Sequence, residues 1–237
     1  MGQIMSSLFI TGNGFDIAHG IPTKYSEFRS FVLQKFPDAL KFRDDVVYLE
    51  DFENVGQDEF AAEILLNAMD KAAGKNWCNF EEALAYINFD NKFPLPNHKE
   101  NETDEEDQIL MKQYLLYMDM LTSVFIGCSK IWQDFFRLWL KEIQYVIDQG
   151  SYQPKDDLLK LFSDSEMQFF SFNYTKTLQK LYGVKKVTHI HNRVGQKLIF
   201  GHGKSDEVGL YKSTGADGGP IIGYSFLDDM ILSFKKY

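Results

Sequence analysis

The sequence predicts an α/β protein with a parallel sheet, and three features support this prediction. A short apolar run at residues 7–11 ends at a glycine-bearing turn, which is typical of a strand followed by a tight turn. Further on, residues 167–200 give strand patterns separated by one short helix. Strand, helix and strand in succession indicate a parallel sheet with right-handed crossovers. The long stretch between these regions has helical periodicity instead.

The first element is predicted to be a strand over residues 7–11. Its residues are mostly apolar, so we expect a strand buried on both faces, as in parallel sheets. A Gly-Asn-Gly turn follows at residues 12–14. Residues 15–19 then predict a short helical turn that Gly20 ends, and a second helix runs to residue 36.

The middle of the chain is predicted to be helical. Apolar residues recur every three or four positions over residues 58–73, 80–87 and 109–147, and we expect these apolar sides to face a core. Gly127 is a candidate break in the longest of these patterns. Residues 88–107 contain an acidic run with little to bury, which predicts a solvated loop.

After residue 165 the pattern returns to strands. We expect a strand at 167–172, a turn at 173–175, a helix at 176–182 ended by Gly183, and further strands at 187–191, 198–200 and 220–224. The sequence therefore predicts a single domain. Residues 1–24 and 166–237 form its α/β core, and residues 25–165 form a large helical insertion after the first strand.

Composition and charge exclude several classes of protein. The 237 residues carry a formal net charge of −9, which argues against nucleic acid as a partner because phosphate binding needs concentrated Lys and Arg. The two cysteines, Cys78 and Cys128, form no CxxC pattern, so a reducing cytoplasm fits best. No segment reaches the roughly 20 apolar residues of a membrane span. We expect a soluble, cytoplasmic protein without membrane contact.

The Gly-Asn-Gly turn is the first candidate for ligand binding. Ligands of open parallel sheets bind at the carboxyl ends of the strands. Backbone amides at Gly12, Asn13 and Gly14 could approach a phosphate or ribose closely. Ile17 stands where the dinucleotide fingerprint has its third glycine, so the standard motif is absent. The alternative is that the glycines only form a tight turn.

Asn173 is the second candidate, because it follows an apolar strand directly. Its amide offers both a donor and an acceptor, which suits a ribose hydroxyl or a water molecule. The alternative is an Asx-turn that caps the following helix, a role that Thr175 could share.

Histidines supply the third candidate. His189 and His191 alternate along one predicted strand and would share a face, and His202 ends the next strand. Two histidines on one face could bind zinc, but no carboxylate motif or cysteine accompanies them, so no metal ligand is predicted. We expect His191 to be a general base and His189 to be a hydrogen-bonded core residue.

Asp16 and His19 flank the first turn and could act on the same ligand. We expect the ligand-contacting set to include neighbours in these loops as well. Those neighbours are Phe15, Tyr174, Thr175, Asn192, Gly201 and His202.

Several segments resemble the AbiH family of bacteriophage abortive infection proteins. Residues 8–26, L-F-I-T-G-N-G-F-D-I-A-H-G-I-P-T-K-Y-S, resemble its amino-terminal signature, and S-F-N-Y-T-K-T-L-Q-K-L-Y-G at 171–183 resembles its second. H-I-H-N at 189–192, followed by I-F-G-H-G, is similar to a third, and N-W-x-x-F-E-E from Asn76 to a fourth. The segments occur in the family's order along the chain.

This resemblance implies a role in phage defence and a Rossmann-like sheet. AbiH sequences are also distantly similar to sirtuin-like NAD-binding domains. By that analogy Gly12, Asn13 and Gly14 would hold the nucleotide, Asn173 would contact the nicotinamide ribose and His191 would be the base. The implied activity is cleavage of the glycosidic bond of NAD. Asn192 stands where the sirtuin-like loop has Gly, and the sirtuin zinc cysteines are absent, so deacetylation is not expected.

Two other functions stay open from the sequence. The same loops could form a nucleotide-sensing binding module without turnover. Alternatively, His189, His191 and His202 could serve an RNA-acting toxin. The expected partners are a small nucleotide, a phage-derived trigger and, in a homo-oligomer, a second copy of the chain.

Overall fold

The computed structural model describes residues 7–40, 56–84, 104–163 and 167–199. Within them the protein is a mixed α/β structure, mostly helical, with a small parallel sheet, which confirms the predicted fold class at that level. The elements in chain order are β1 (Leu8–Thr11), α1 (Asn13–Ala18), α2 (Tyr25–Lys35), a 3-10 helix (Pro37–Leu40), α3 (Gln57–Ala73), α4 (Phe80–Ala83), α5 (Asp104–Asp148), α6 (Asp156–Leu161), β2 (Gln168–Ser171), α7 (Thr177–Tyr182) and β3 (Thr188–His189).

The three described strands form one sheet in the order β1-β2-β3, and both neighbouring pairs are parallel. Leu8 is the partner of Gln168, so the first strand pairs with a segment distant in sequence. Thr11, Ser171 and His189 lie in one row across the sheet. The carboxyl ends of all three strands therefore meet at one edge.

Only one face of this sheet is covered among the described residues. Phe9 and Phe169 share that face, with ring centroids 6.1 Å apart, and Phe162 contacts both at 4.6 and 5.1 Å. Leu8 and Ile10 point to the other face and remain 56% and 59% exposed. The prediction that β1 is buried on both faces is wrong, because the ring contacts reach only the face of Phe9.

The chain divides into two compact units. The first takes Met1–Phe31 and Asp134–Ile199, and the second takes Val32–Gln133 and Phe200–Tyr237. The first unit therefore holds the sheet, α1, α6, α7 and the last part of α5. The predicted boundaries of the helical insertion, residues 25 and 165, stay a prediction.

Aromatic contacts build the core of the first unit beside the sheet. Phe136 of α5 lies edge-on to Phe28 of α2 at 5.3 Å and to Tyr174 at 5.1 Å. Trp139, one helical turn further along α5, contacts Phe28 at 5.2 Å. Such aromatic pairs contribute beyond the apolar area that they bury. They fix the loop after β2 against two helices.

Helix α3 forms the centre of the second unit, where every residue from 60 to 69 is buried. The Trp132 Nε1–H of α5 donates to the Ala61 carbonyl at 2.6 Å. Trp77 stacks on Phe80, and its Nε1–H donates to Asp70 at 2.9 Å. Trp77 is fully buried by these contacts.

Helix α5 runs without interruption from Asp104 to Asp148, so the predicted break at Gly127 is wrong. A helical glycine costs roughly 1 kcal/mol relative to alanine, which the rest of this long helix outweighs. Residues 104–107, predicted to be loop, form its first turn, where acidic side chains favour the helix dipole. The predicted core positions Cys128, Trp132 and Trp139 are buried. None of the described helices is long and apolar enough to cross a membrane.

The strand predicted at residues 187–191 is shorter than expected. Strand β3 covers only Thr188–His189, and the chain turns at the next two residues. Asn192 then adopts a left-handed conformation with φ 59, which ends extended pairing. Leu198 and Ile199 are not in a strand either. The Ile199 N–H donates to the His191 carbonyl at 3.0 Å, within the turn that follows β3. The predicted strand at 220–224 lies outside the described residues.

Candidate functional site

Polar groups occupy the carboxyl edge of the sheet, the row formed by Thr11, Ser171 and His189. The Thr11 hydroxyl donates to the Ser171 hydroxyl at 3.2 Å. The Asn173 N–H donates to the same Ser171 oxygen at 3.1 Å. Because the three strands are parallel, each continues from this row into a segment that carries predicted site residues, which include Gly12, Asn173 and His191.

The Gly-Asn-Gly turn leaves open space at the end of β1. Gly12 has an extended backbone with φ −135, and Gly14 is not among the residues with positive φ, so neither conformation requires glycine. A Cβ added at Gly12 or at Gly14 would meet no atom of the described residues within 4 Å. The turn alone therefore does not explain the glycines, and the space beside them is available to a ligand.

Asp16 lies in α1, directly after this turn, and is 1% exposed. Its Oδ2 accepts a hydrogen bond from the Thr175 hydroxyl at 2.6 Å. The Thr177 hydroxyl lies 3.0 Å from that of Thr175 and can donate to it, since the Thr175 hydrogen is directed to Asp16. Asp16 Oδ1 is buried and receives no hydrogen bond from any residue that the structure describes.

Burial raises the pKa of the Asp16 carboxyl above its ordinary value. The Thr175 hydrogen bond acts in the opposite direction, as do the nearby side chains of Thr177 and Asn173 and the charge of His19. The net effect is a raised pKa. The carboxylate form is thus costly here, because one of its oxygens is buried and gains no donor from the residues that the structure describes.

Asn173 is buried beside Asp16, at the end of β2. Its carbonyl accepts a hydrogen bond from His189 Nδ1 at 3.0 Å, while its side-chain Oδ1 has no donor among the described residues. Helix α7 begins at Thr177 with no side-chain cap. The capping alternative for Asn173 and Thr175 is therefore wrong, because the Asn173 oxygen is unused and Thr175 binds Asp16 instead.

His189 has a structural position. Its Nδ1 must donate to the Asn173 carbonyl, which leaves Nε2 to accept from the Gln179 amide at 2.8 Å. Burial lowers the pKa of His189; the Asn173 carbonyl opposes this, and the charges of Arg193 and Lys176 add to it. A neutral His189 with both nitrogens occupied holds the loop of Asn173 in place, in agreement with the prediction of a hydrogen-bonded core histidine.

His191 lies in the turn after β3, not at the end of the strand. Its ring centroid is 5.6 Å from the rings of both Phe172 and Tyr174, the residues on either side of Asn173. The turn is held by the Tyr174 hydroxyl, which donates to the Ile199 carbonyl at 2.9 Å, and by the Asn192 amide. The predicted shared strand face of His189 and His191 is wrong, because the chain leaves the sheet between them.

His19 links α1 to α7 inside the first unit. Its Nδ1 donates to the Phe15 carbonyl at 2.7 Å, and its Nε2 lies 2.6 Å from the Tyr182 hydroxyl. That hydroxyl also accepts the Lys155 N–H at 3.0 Å. Both ring nitrogens are thus engaged within the protein, so this geometry gives His19 a positioning role. Direct contact of His19 or Phe15 with a ligand stays a prediction.

Sequence reasoning identified Asp16, Asn173 and Thr175, which lie together, but it missed the residues that support them. These are Thr11, Ser171, Thr177, Gln179 and Tyr182. The Thr-x-Thr spacing after Asn173 was the one available signal for a hydroxyl pair. Gly201 and His202 lie outside the described residues. Among the residues that are described, no group of three or more His, Cys, Asp or Glu could hold a metal ion.

Comparison with known proteins gives one match. The model of a family described as bacteriophage abortive infection AbiH matches residues 8–230. No curated protein and no solved structure matches the chain. The match spans most of the sequence and includes both the glycine turn and the loop of Asn173.

Proposed function

The chain belongs to the AbiH family of bacteriophage abortive infection proteins, and from this premise we propose that it acts in phage defence by binding and hydrolysing NAD or a related nucleotide. The site is the carboxyl edge of the sheet, with the glycine turn, Asp16, Asn173 and His191 around the ligand. Loss of NAD would stop growth of the infected cell before phage can spread.

The open space beside Gly12 and Gly14 is the observation that carries this proposal. Neither glycine is required by its backbone conformation or by a neighbouring atom. A turn of this kind at the end of a parallel strand lets a sugar or phosphate approach the backbone closely. If this turn served only to connect β1 to α1, side chains would be tolerated at Gly12 and at Gly14.

Two buried acceptors support a ligand that carries donors. Asp16 Oδ1 and Asn173 Oδ1 have no donor among the described residues. An unsatisfied buried acceptor costs roughly 1–3 kcal/mol, which a ligand hydroxyl can recover. Ribose supplies adjacent hydroxyl donors, whereas a phosphate supplies acceptors only. The acceptors therefore suit the sugar of a nucleotide, and the glycine turn suits its phosphates.

The reaction is hydrolysis of the bond between ribose C1′ and the nicotinamide nitrogen. That bond breaks with its electron pair going to the nicotinamide ring, which thereby loses its positive charge. A water oxygen bonds to C1′, and His191 takes the proton of that water as general base. Asn173 holds a ribose hydroxyl through its unused oxygen. The products are nicotinamide and ADP-ribose.

The test uses the full chain and NAD, with nicotinamide release followed by chromatography and cellular NAD followed during phage challenge. Wild type should release nicotinamide, and His191→Ala and Asn173→Ala should lose release and phage protection together. A folded His191→Ala protein that releases nicotinamide at the wild-type rate removes the role given to His191. Survival of infected cultures without any change in NAD contradicts the proposed chemistry.

A nucleotide-sensing module without turnover is the second candidate. It is favoured by the position of His191, which lies in a turn against two aromatic rings instead of at a strand end. A ligand that binds only the folded state raises stability by mass action. NAD or ADP-ribose that raises the melting temperature while nicotinamide release stays at background would support sensing over hydrolysis.

A further inference from the structure

We infer that Asp16 is a catalytic carboxylate, whose free oxygen faces the ribose carbon of the bound nucleotide and stabilises the positive charge that develops there. This inference rests on the proposed function and adds to it the group that lowers the activation barrier of glycosidic bond cleavage. Sequence reasoning placed Asp16 only among ligand-contacting residues.

The two oxygens of Asp16 have different surroundings. Oδ2 is held by the Thr175 hydroxyl, which Thr177 supports in turn. Oδ1 is buried, with no donor among the described residues. One oxygen is thus fixed by Thr175, while the other meets no donor in the part of the chain that the structure describes. This arrangement leaves the second oxygen available to a ligand.

The position of Asp16 matches that purpose. It lies in the first turn of α1, two residues beyond Gly14 and its open space. Thr175, which donates to Asp16, lies two residues beyond Asn173, so the unused oxygens of Asp16 and Asn173 belong to one site. A ribose held by Asn173 therefore lies within reach of Asp16.

A negative charge at this position is explained by catalysis better than by folding. The hydrogen bond from Thr175 requires only an oxygen acceptor, which an asparagine would supply equally well. Burial of a charge costs several kcal/mol when its interactions are incomplete, so asparagine would be the cheaper residue. A carboxylate becomes favourable only when a positive charge appears beside it.

Glycosidic cleavage produces such a charge. As the bond from C1′ to nicotinamide breaks, positive charge spreads over C1′ and the ring oxygen of the ribose, until the water oxygen bonds to C1′. The water proton goes to His191, and Asp16 remains ionised throughout. Electrostatic stabilisation by a preorganised, buried group is effective because little solvent screens it. Thr175 and Thr177 are positioning residues for that group.

The test compares full-length wild type, Asp16→Asn and Asp148→Asn in nicotinamide release from NAD. Loss of one preorganised electrostatic contact typically lowers kcat by about 10²–10³-fold, and we expect this for Asp16→Asn. KM should change by much less than kcat, because Thr175 can donate to the asparagine oxygen and the Asn173 oxygen still binds the ribose. ADP-ribose should still raise the melting temperature of Asp16→Asn. Asp148→Asn removes a carboxylate that pairs with Lys180 and should keep the wild-type kcat.

A second measurement is the pH dependence of kcat. Since Asp16 acts ionised and burial raises its pKa, wild-type kcat should fall as pH decreases through that raised pKa. Thr175→Val removes the donor to Oδ2 and should therefore shift this acid limb of the kcat–pH profile to higher pH. It should also lower kcat without a matching change in KM. A purely structural role for Thr175 would leave the limb in place.

Each outcome bears on a different proposal. A folded Asp16→Asn protein with wild-type kcat, or a Thr175→Val protein whose kcat falls over the same pH range as that of wild type, overturns the role of Asp16 while NAD hydrolysis stands. If wild type releases no nicotinamide, both alone and with extract of phage-infected cells, the proposed function fails and this inference fails with it.

Discussion

The Thr175 hydroxyl donates a hydrogen bond of 2.6 Å to the Asp16 carboxylate, across 159 positions of sequence. This bond joins the helix after β1 to the loop after β2, inside one compact unit. It brings the helix that follows the glycine turn together with the loop of Asn173. It also leaves a buried carboxylate oxygen without a donor among the described residues, which is the feature that the first prediction uses.

Asp16→Asn should stabilise the folded protein at neutral pH. Burial raises the folded-state pKa of Asp16, so its contribution to stability is present at low pH and is lost as pH rises through that pKa. The neutral variant should therefore exceed wild type in free energy of unfolding above the raised pKa and approach it below. Urea unfolding over a pH series measures this difference.

Asp148→Asn is the control, and it should change the free energy of unfolding in the opposite direction. Burial alone would raise the pKa of Asp148, but its hydrogen bonds with Lys180 and Gln144 and the charges of Lys180 and Lys176 lower it overall. This variant should be slightly less stable than wild type at neutral pH and equal to it in acid, with a small effect because the pair is partly exposed. The same sign for both variants would contradict the assignment of a raised pKa to Asp16.

His189→Asn should weaken the pH dependence of stability on the acid side of neutrality. The folded-state pKa of His189 is lowered, chiefly by burial, so its contribution is present above the ordinary value of 6.5 and is lost as pH falls through the lowered pKa. Wild type should lose stability as pH falls over this window, and the variant should lose less. Unfolding midpoints between about pH 5 and pH 8 measure the effect. The difference between variant and wild type at about pH 8 gives the loss of stability that comes from packing alone.

Gly14→Ala and Gly127→Ala form a matched pair. Both glycines are helical, and an added Cβ at either would meet no atom within 4 Å. Each change should raise the free energy of unfolding by about 0.5–1 kcal/mol, because alanine loses less backbone entropy in a helix. Only Gly14→Ala should lower NAD affinity and phage protection, since its methyl group enters the proposed ligand space. Equal protection by both variants would remove the glycine turn from the site.

The two cysteines should differ in reactivity. Cys128 is buried in α5, and burial raises the pKa of its thiol to about 12, whereas Cys78 is exposed. Because the thiolate is the reactive form, a thiol reagent at about pH 8 should modify Cys78 quickly and Cys128 only after unfolding. Titration of the native and the urea-unfolded protein measures the two steps. Rapid modification of both in the native state would contradict the burial of Cys128.

Local pattern was sufficient for much of the fold. The apolar run before Gly12, the helical spacing of α3 and the turn at Gly183 all follow from properties of neighbouring residues, and each lies close to its predicted place. The predictions of secondary structure were wrong where a local signal is overridden or gives no indication of the conformation. Gly127 favours a break by its propensity, yet packing keeps α5 continuous. Asn192 adopts a left-handed conformation that no periodicity indicates, and His191 lies in the turn before it instead of in the strand.

The sequence by itself determined where strands, turns and helices form, because hydrophobic spacing and turn residues act over a few positions. It also determined that glycines, an asparagine and histidines follow strand ends. Only the tertiary structure decided which of these residues meet. The pairing of Leu8 with Gln168, the bond from Thr175 to Asp16 and the occupied nitrogens of His189 depend on contacts between distant segments. Burial and protonation follow from those contacts, since loss of water is a property of the packed site and of no single residue.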